Sequence, residues 1–160
     1  MESERKIVYV AGHNGMVGKS LVRRLKKKKN VDLITIPRKD LDLRDQRGVY
    51  DFFKTTNINE VYLAAAKVGG IYANNTKRVE FLTENLKINL NVLESILDFP
   101  NIKVINLGSS CIYPKFSKQP IKEKYLLTGP LEKTNEAYAV AKIAGLKLCE
   151  NYNFQYGTNY

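Results

Sequence analysis

Short apolar runs and longer runs with apolar residues every three or four positions alternate along the chain. Lys6 to Ala11 is a β-branched run ending at Gly12, and it reads as a buried strand. A helix is predicted from Met16 to about Lys29. Leu33 to Ile36 is a second apolar run, stopped by Pro37, and Leu41-Asp42-Leu43 suggests a short third strand. Asp45 is placed to cap a helix reaching Thr55, with Val49, Phe52 and Phe53 on its inner face. Glu60 to Ala66 reads as the next strand, followed by a glycine-containing loop. From Val79 to Phe99, leucines at 82, 86, 90, 93 and 97 fit one face of a long amphipathic helix, which Pro100 and Asn101 end. Lys103 to Leu107 is a further strand running into Gly108-Ser109-Ser110. A loop from Pro114 to Lys133 precedes a last helix from Asn135 to about Tyr156. Strands alternating with helices predict βαβ units: an α/β fold with a doubly wound, Rossmann-type parallel sheet and helices on both faces.

At 160 residues the chain suits one domain, 1–160, and not two. No apolar run is long enough to span a bilayer, so no membrane association is expected. Met1 to Lys6 is polar and leads straight into a strand, unlike a signal peptide. With two cysteines, the expected setting is the reducing cytoplasm. The net charge of +10 raises a nucleic-acid reading. Its densest run, Arg23 to Lys29, falls at a predicted helix end, where cations suit the macrodipole. No aromatic-interleaved nucleic-acid motif accompanies it, so no nucleic-acid partner is expected.

The chemistry begins directly after the first strand. Gly12-His13-Asn14-Gly15-Met16-Val17-Gly18 has the spacing G-x-x-G-x-x-G. Glycines there allow a tight turn and close approach of backbone to a pyrophosphate, and the following helix offers free N–H groups and a positive dipole end. The first interval is one residue longer than the common dinucleotide fingerprint. His13 is the only histidine and is assigned no chemistry beyond its place in this turn; no metal site is assigned. The residues after the second strand choose the cofactor. An acid there would suit the ribose hydroxyls of NAD, whereas cations suit a 2′-phosphate. Arg38 and Lys39 favour NADP(H), with Asp40 and Asp42 close by in sequence as a counter-argument.

Tyr138 and Lys142 form Y-x-x-x-K on the last helix, four apart and so on one face. A nearby ammonium favours the phenolate, and such a tyrosine can exchange a proton with a carbonyl while hydride passes to or from nicotinamide. Ser109 follows a buried strand, where ligands of open α/β sheets bind, and can hydrogen-bond a substrate carbonyl. Leu107 and Gly108, at the same strand end, are expected against the cofactor, as is Lys142 through its ribose. Cys111, two residues beyond the serine, reads either as an acid–base thiol or as a small buried hydrophobe. Cys149 falls within the apolar pattern of the last helix and reads as core.

Four segments carry a resemblance: A-G-H-N-G-M-V-G (11–18), V-Y-L-A-A-A-K-V-G-G-I (61–71), L-G-S-S-C-I-Y-P-K (107–115) and T-N-E-A-Y-A-V-A-K-I-A-G-L-K-L-C-E (134–150). With them the chain resembles the GDP-L-fucose synthases of the extended short-chain dehydrogenase/reductase family. The resemblance implies NADPH-dependent 3,5-epimerisation and 4-reduction of a GDP-4-keto-6-deoxymannose. Cys111 would be the acid–base of epimerisation, Tyr138 the proton donor in reduction, Lys142 its electrostatic partner, Ser109 the residue positioning the ketone, and Arg38 a neighbour of the 2′-phosphate. It implies a homodimer built on the helix at 79–99 and the last helix. Asn14 departs from members that place an arginine there. Members are also about twice as long, which implies that the later strands and a sugar-nucleotide domain are missing, along with the histidine that partners the cysteine. A chain of this extent is expected to have little or no turnover, and to expose an apolar edge around Ile105 that favours association. Three alternatives stand beside this reading: another sugar-nucleotide epimerase or dehydratase of the same family, a non-catalytic NADP-binding protein, and a truncated, non-functional product. A hydroxyl or apolar residue in place of Cys111 would have favoured the first, and the intact Ser109, Tyr138 and Lys142 argue against the second.

Overall fold

A computed structural model describes residues 5–160; the polar lead-in Met1–Glu4 lies outside the described residues. Four parallel strands, β1 (Lys6–Ala11), β2 (Val31–Ile34), β3 (Glu60–Leu63) and β4 (Lys103–Asn106), form one sheet in the order β2-β1-β3-β4. The helices are α1 (Met16–Leu25), α2 (Gln46–Thr55), α3 (Ile71–Thr76), α4 (Arg78–Ser95) and α5 (Glu136–Tyr156). The two-residue period of β1 divides the core. Val8 and Val10 pack with Leu25 and other α1 residues on one face. Tyr9 and Ala11 pack on the other with Val49 and Phe53 of α2, Ile88 and Val92 of α4, and Ile96 just after it. The chain leaves β1 to either side, to β2 and to β3, so the sheet has a switch point at the C-terminal ends of β1 and β3.

Several expectations are corrected. The third strand expected at Leu41–Leu43 is an irregular segment with no partner strand. Its alternation is real but serves burial: Leu41 and Leu43 enter the core, while Asp42 binds Arg44. α1 stops at Leu25, and Lys26 to Asn30 turn the chain so that the Lys6 N–H reaches the Asn30 carbonyl. β2 therefore starts at Val31, opposite Lys6, and ends before Ile36. β3 ends at Leu63 because its partner β1 turns away at Gly12; Ala64 to Ala66 continue as a rim. α3, inside the expected glycine loop, has no amphipathic spacing to reveal it.

The face of α4 was also misassigned. Of the leucine line, 82, 86, 90 and 97 are only half-buried and Leu93 alone is buried, whereas Phe81, Asn85, Ile88, Asn89, Val92 and Ile96 are also buried. The buried face includes asparagines because they satisfy backbone groups of neighbouring loops. Asn85 Oδ1 accepts from the Lys67 N–H at 2.8 Å and its Nδ2 donates to the Lys67 carbonyl at 3.0 Å. Asn91 donates to the Leu43 carbonyl at 3.0 Å. Asn89 meets Gly145 of α5 so closely that a Cβ there would overlap its amide.

The outer edge of β4 is partly covered. Gly157 ends α5 in the left-handed region (φ 67°), and the chain returns to pair Asn159 in parallel with Lys103; the Val104 N–H donates to the Asn159 carbonyl at 2.9 Å. Asn153 Oδ1 holds this return by accepting from Thr158 Oγ1 and the Tyr160 N–H, each at 2.8 Å.

Candidate active site

A cleft of about 650 Å³ lies at the switch point, walled by the turn after β1, the rim after β3, the segment after β2 and α5. Its phosphate-binding end is shaped by glycines. Gly12 has φ 82°, and a Cβ on it would lie 2.6 Å from the Ala65 nitrogen. The Gly15 N–H donates to the Gly12 carbonyl at 3.0 Å, and a Cβ on Gly18 would run into the same carbonyl. No side chain caps the start of α1. A backbone cradle at a helix N-terminus, closed to any side chain, fits the pyrophosphate of a dinucleotide. His13 Nδ1 is buried there without a protein partner.

Gly12 to Gly18, Arg38, Leu107, Gly108, Tyr138 and Lys142 all line this cleft. Lys39 does not, which leaves Arg38 as the cleft cation of that pair. Sequence reasoning missed a charged cluster on the same wall. Arg44 binds Asp42 at 2.6 Å and Glu84 of α4 at 3.0 Å, and Lys67 binds the other Glu84 oxygen at 3.0 Å. Arg38 stands 3.6 Å from Asp42 and 3.7 Å from Glu84. The Arg44 hydrogen bonds hold the Asp42 carboxyl well below the usual carboxylate range, and the Lys67 bond lowers that of Glu84. Asp42 therefore faces the cleft as a neutralised partner, not as a free acid. Only the charge alternation L-D-L-R-D hinted at this in the sequence.

At the other end, Ser109 leaves β4 in an extended conformation and starts the short turn Ser110–Ile112. That turn brings Cys111 Sγ to 3.2 Å from Ser109 Oγ. Tyr138 sits on α5 above them, its ring edge-on to Phe81 of α4. Burial raises the Tyr138 phenol above its ordinary value, negative charge on Cys111 raises it further, and a hydrogen bond with Ser109 acts the other way. The expected favouring of its phenolate by Lys142 is not found. Lys142 is 6% exposed, and its ammonium donates instead to the Leu107 carbonyl at 2.8 Å. Burial lowers its pKa, partly offset by Cys111. Tyr138 is thus held as a protonated phenol, a donor awaiting an oxygen. Cys111 is half-buried, and neither it nor Ser109 is among the residues lining the cleft; both lie just beyond Leu107 and Gly108, beside Tyr138. Cys149 is buried in the core, as its pattern suggested. Among the described residues no group of His, Cys, Asp and Glu could hold a metal, and no helix is long and apolar enough to cross a membrane.

The chain matches the NAD dependent epimerase/dehydratase family over residues 8–160. It is 52% identical over 153 residues to the GDP-L-fucose synthase of Escherichia coli K12, covering 96% of this chain and 48% of that protein. Among solved structures it is similar to a GDP-mannoheptose C4 reductase from Campylobacter jejuni with NADP bound. That match has a TM-score of 0.91 and 39% identity, and covers 99% of this chain and 50% of the other. It is also similar to a GDP-L-fucose synthetase from Naegleria fowleri bound to NADP (TM-score 0.84, 30% identity, 98% and 51% covered). The chain spans about half the length of the relatives it matches.

Proposed function

The chain belongs to the NAD dependent epimerase/dehydratase family, and from that premise we propose that it forms the single NADP(H)-binding domain of a cytoplasmic GDP-sugar epimerase/reductase. The proposed reaction is 3,5-epimerisation and 4-reduction of GDP-4-dehydro-6-deoxy-D-mannose to GDP-L-fucose. The observation that carries this reading is the cysteine thiol at 3.2 Å from Ser109, with both residues acting on Tyr138. A reductase alone needs the serine and tyrosine; a thiol beside them adds a group that can move a carbon-bound proton.

The 4-ketone acidifies the protons on C3 and C5. Ser109 donates a hydrogen bond to that ketone and stabilises negative charge on its oxygen as a proton leaves carbon. Cys111, as thiolate, takes or returns the proton on one face of the sugar. Inversion also needs a proton exchanged on the opposite face; His13, the only histidine, lies in the phosphate turn and does not supply it. Tyr138 then gives its phenolic proton to the C4 oxygen. Bound NADPH would supply the hydride to C4, completing the alcohol. Lys142 would hold the nicotinamide-side ribose, and once drawn from the Leu107 carbonyl it would stabilise the tyrosinate left behind. Arg38, 63% exposed, would meet the 2′-phosphate. The free cysteines accord with a reducing compartment. The half-buried leucines of α4 and the exposed Val140 of α5 support a homodimer through these two helices.

On this reading the chain alone binds cofactor with little or no turnover, since it spans about half the length of the relatives it matches. Fluorescence titration with NADPH and NADH tests the cofactor claim, and binding of neither would end it. In a chain extended to the relatives' length, Cys111→Ser should lose epimerisation and Tyr138→Phe should lose reduction. Undiminished activity in either variant would remove the role assigned to that residue.

A further inference from the structure

We propose that Arg44 sets the preference of the cleft for a 2′-phosphorylated dinucleotide by neutralising Asp42 and Glu84, without itself touching the phosphate. This rests on the NADP(H) reading above. Two carboxylates face the part of the cleft where Arg38 would receive a phosphate of about two negative charges. Unneutralised, both would repel it, and Asp42 would accept a hydrogen bond from an unphosphorylated ribose instead.

The structure shows how that repulsion is cancelled. Arg44 Nε lies 3.0 Å and 3.2 Å from the two Asp42 oxygens, and its Nη2 lies 2.6 Å from one of them. Its Nη1 holds Glu84 at 3.0 Å, while Lys67 holds the remaining Glu84 oxygen. Every carboxylate oxygen therefore already has a cation within hydrogen-bond distance. Arg38 is the loose member: its ion pairs, at 3.6 Å and 3.7 Å, exceed hydrogen-bond length, and its side chain is mostly in solvent. Arg44 thus satisfies the acids that would otherwise capture Arg38, and leaves Arg38 free to turn to an incoming phosphate. Three cations against two carboxylates give this wall one net positive charge. Removing Arg44 makes it neutral, uncovers Asp42, and draws Arg38 onto it.

The test compares NADPH and NADH dissociation constants, by fluorescence titration, for the parent chain, Arg44→Gln, Arg44→Lys and the double variant Asp42→Asn/Arg44→Gln. The parent should prefer NADPH. Arg44→Gln should cut the ratio of the two constants by about tenfold, as expected for an uncovered charge near a phosphate. Arg44→Lys should retain part of the preference, since it keeps the charge and loses the bidentate geometry. The double variant should recover the parent ratio, because the exposed acid is gone. A merely structural arginine would weaken both dinucleotides alike. Equal weakening by Arg44→Gln, or no recovery in the double variant, overturns the inference. A parent that binds both alike overturns it too, but leaves the dinucleotide site standing. A parent that binds neither removes the cofactor reading and this inference with it.

Discussion

Replacing Asn85 by leucine asks whether the wall of the cleft depends on a side chain acting as backbone. Leucine has the same branched outline and good helix propensity, so packing and helix formation change little. What changes is hydrogen bonding. Asn85 is 1% exposed and pairs both ways with the backbone of Lys67, at 2.8 Å and 3.0 Å. Its third bond, to the Phe81 carbonyl, duplicates a helical acceptor and is the least costly to lose. Two half-buried backbone groups would be left without protein partners, at about 1–2 kcal/mol each. The apolar gain of leucine offsets about 1 kcal/mol. The expected net loss is about 2 kcal/mol, or about 4–8 °C in melting temperature for a domain of this size. Urea unfolding of parent and Asn85→Leu, with matched m-values, gives the difference directly. NADPH should also bind more weakly, since Lys67 belongs to the cleft wall. A variant within about 0.5 kcal/mol of the parent would refute the claim that this pairing holds the rim after β3.

Two further outcomes follow from the same geometry. Gly18→Ala places a Cβ against the Gly12 carbonyl and 2.7 Å from His13 Cα, so the phosphate turn must open; stability should fall by about 2 kcal/mol and NADPH affinity by more than about tenfold. Gly70→Ala, with nothing within 4 Å, is the matched control and should leave both nearly unchanged, which thermal melts and titrations will show. Lys142→Met should stabilise the fold by up to about 1 kcal/mol at neutral pH while weakening cofactor binding, because relief of a buried ammonium outweighs the Leu107 carbonyl left without its donor. The folded pKa of Lys142 is depressed, so the parent gains stability as pH rises from that lowered value towards the unfolded 10.5, and its gap to Lys142→Met should narrow over that window. Urea unfolding across pH checks both statements, and a variant less stable than the parent at neutral pH contradicts them.

Where one residue's side chain answers one question, the sequence was readable. β1 is an unbroken apolar run because both its faces are buried, one under α1 and the other under α2 and α4, and the turn at Gly12 to Gly18 needs glycine for its positive φ at Gly12 and for space at Gly12 and Gly18. Tyr138 and Lys142 share a face by helical spacing, and Ser109 lies at a strand end by chain order. The failures have a common origin in tertiary hydrogen bonding. Asn85 and Asn91 are buried because loops elsewhere supply their partners, so a pattern of apolar residues selects the wrong face of α4. Leu41 and Leu43 alternate like a strand but have no strand beside them. Arg44 reads as an ordinary surface cation until Glu84, 40 residues later, comes to meet it. Lys142 was expected to act on Tyr138, but in this structure its ammonium donates to the Leu107 carbonyl.

The rung between Asn159 and Lys103 bears on how such molecules behave in a crowd. Parallel ladders elongate from an existing rung, and an open edge is the front from which a neighbour's strand can begin to grow. Here the first position on that front is occupied by the chain's own residues, tethered at an effective concentration of the order of millimolar. A foreign strand at micromolar concentration must displace them first. Asn153 ties these residues down through its hydrogen bonds with Thr158 and Tyr160. A short turn after α5 therefore occupies the start of this edge and sets the register in which any further parallel strand would join the sheet.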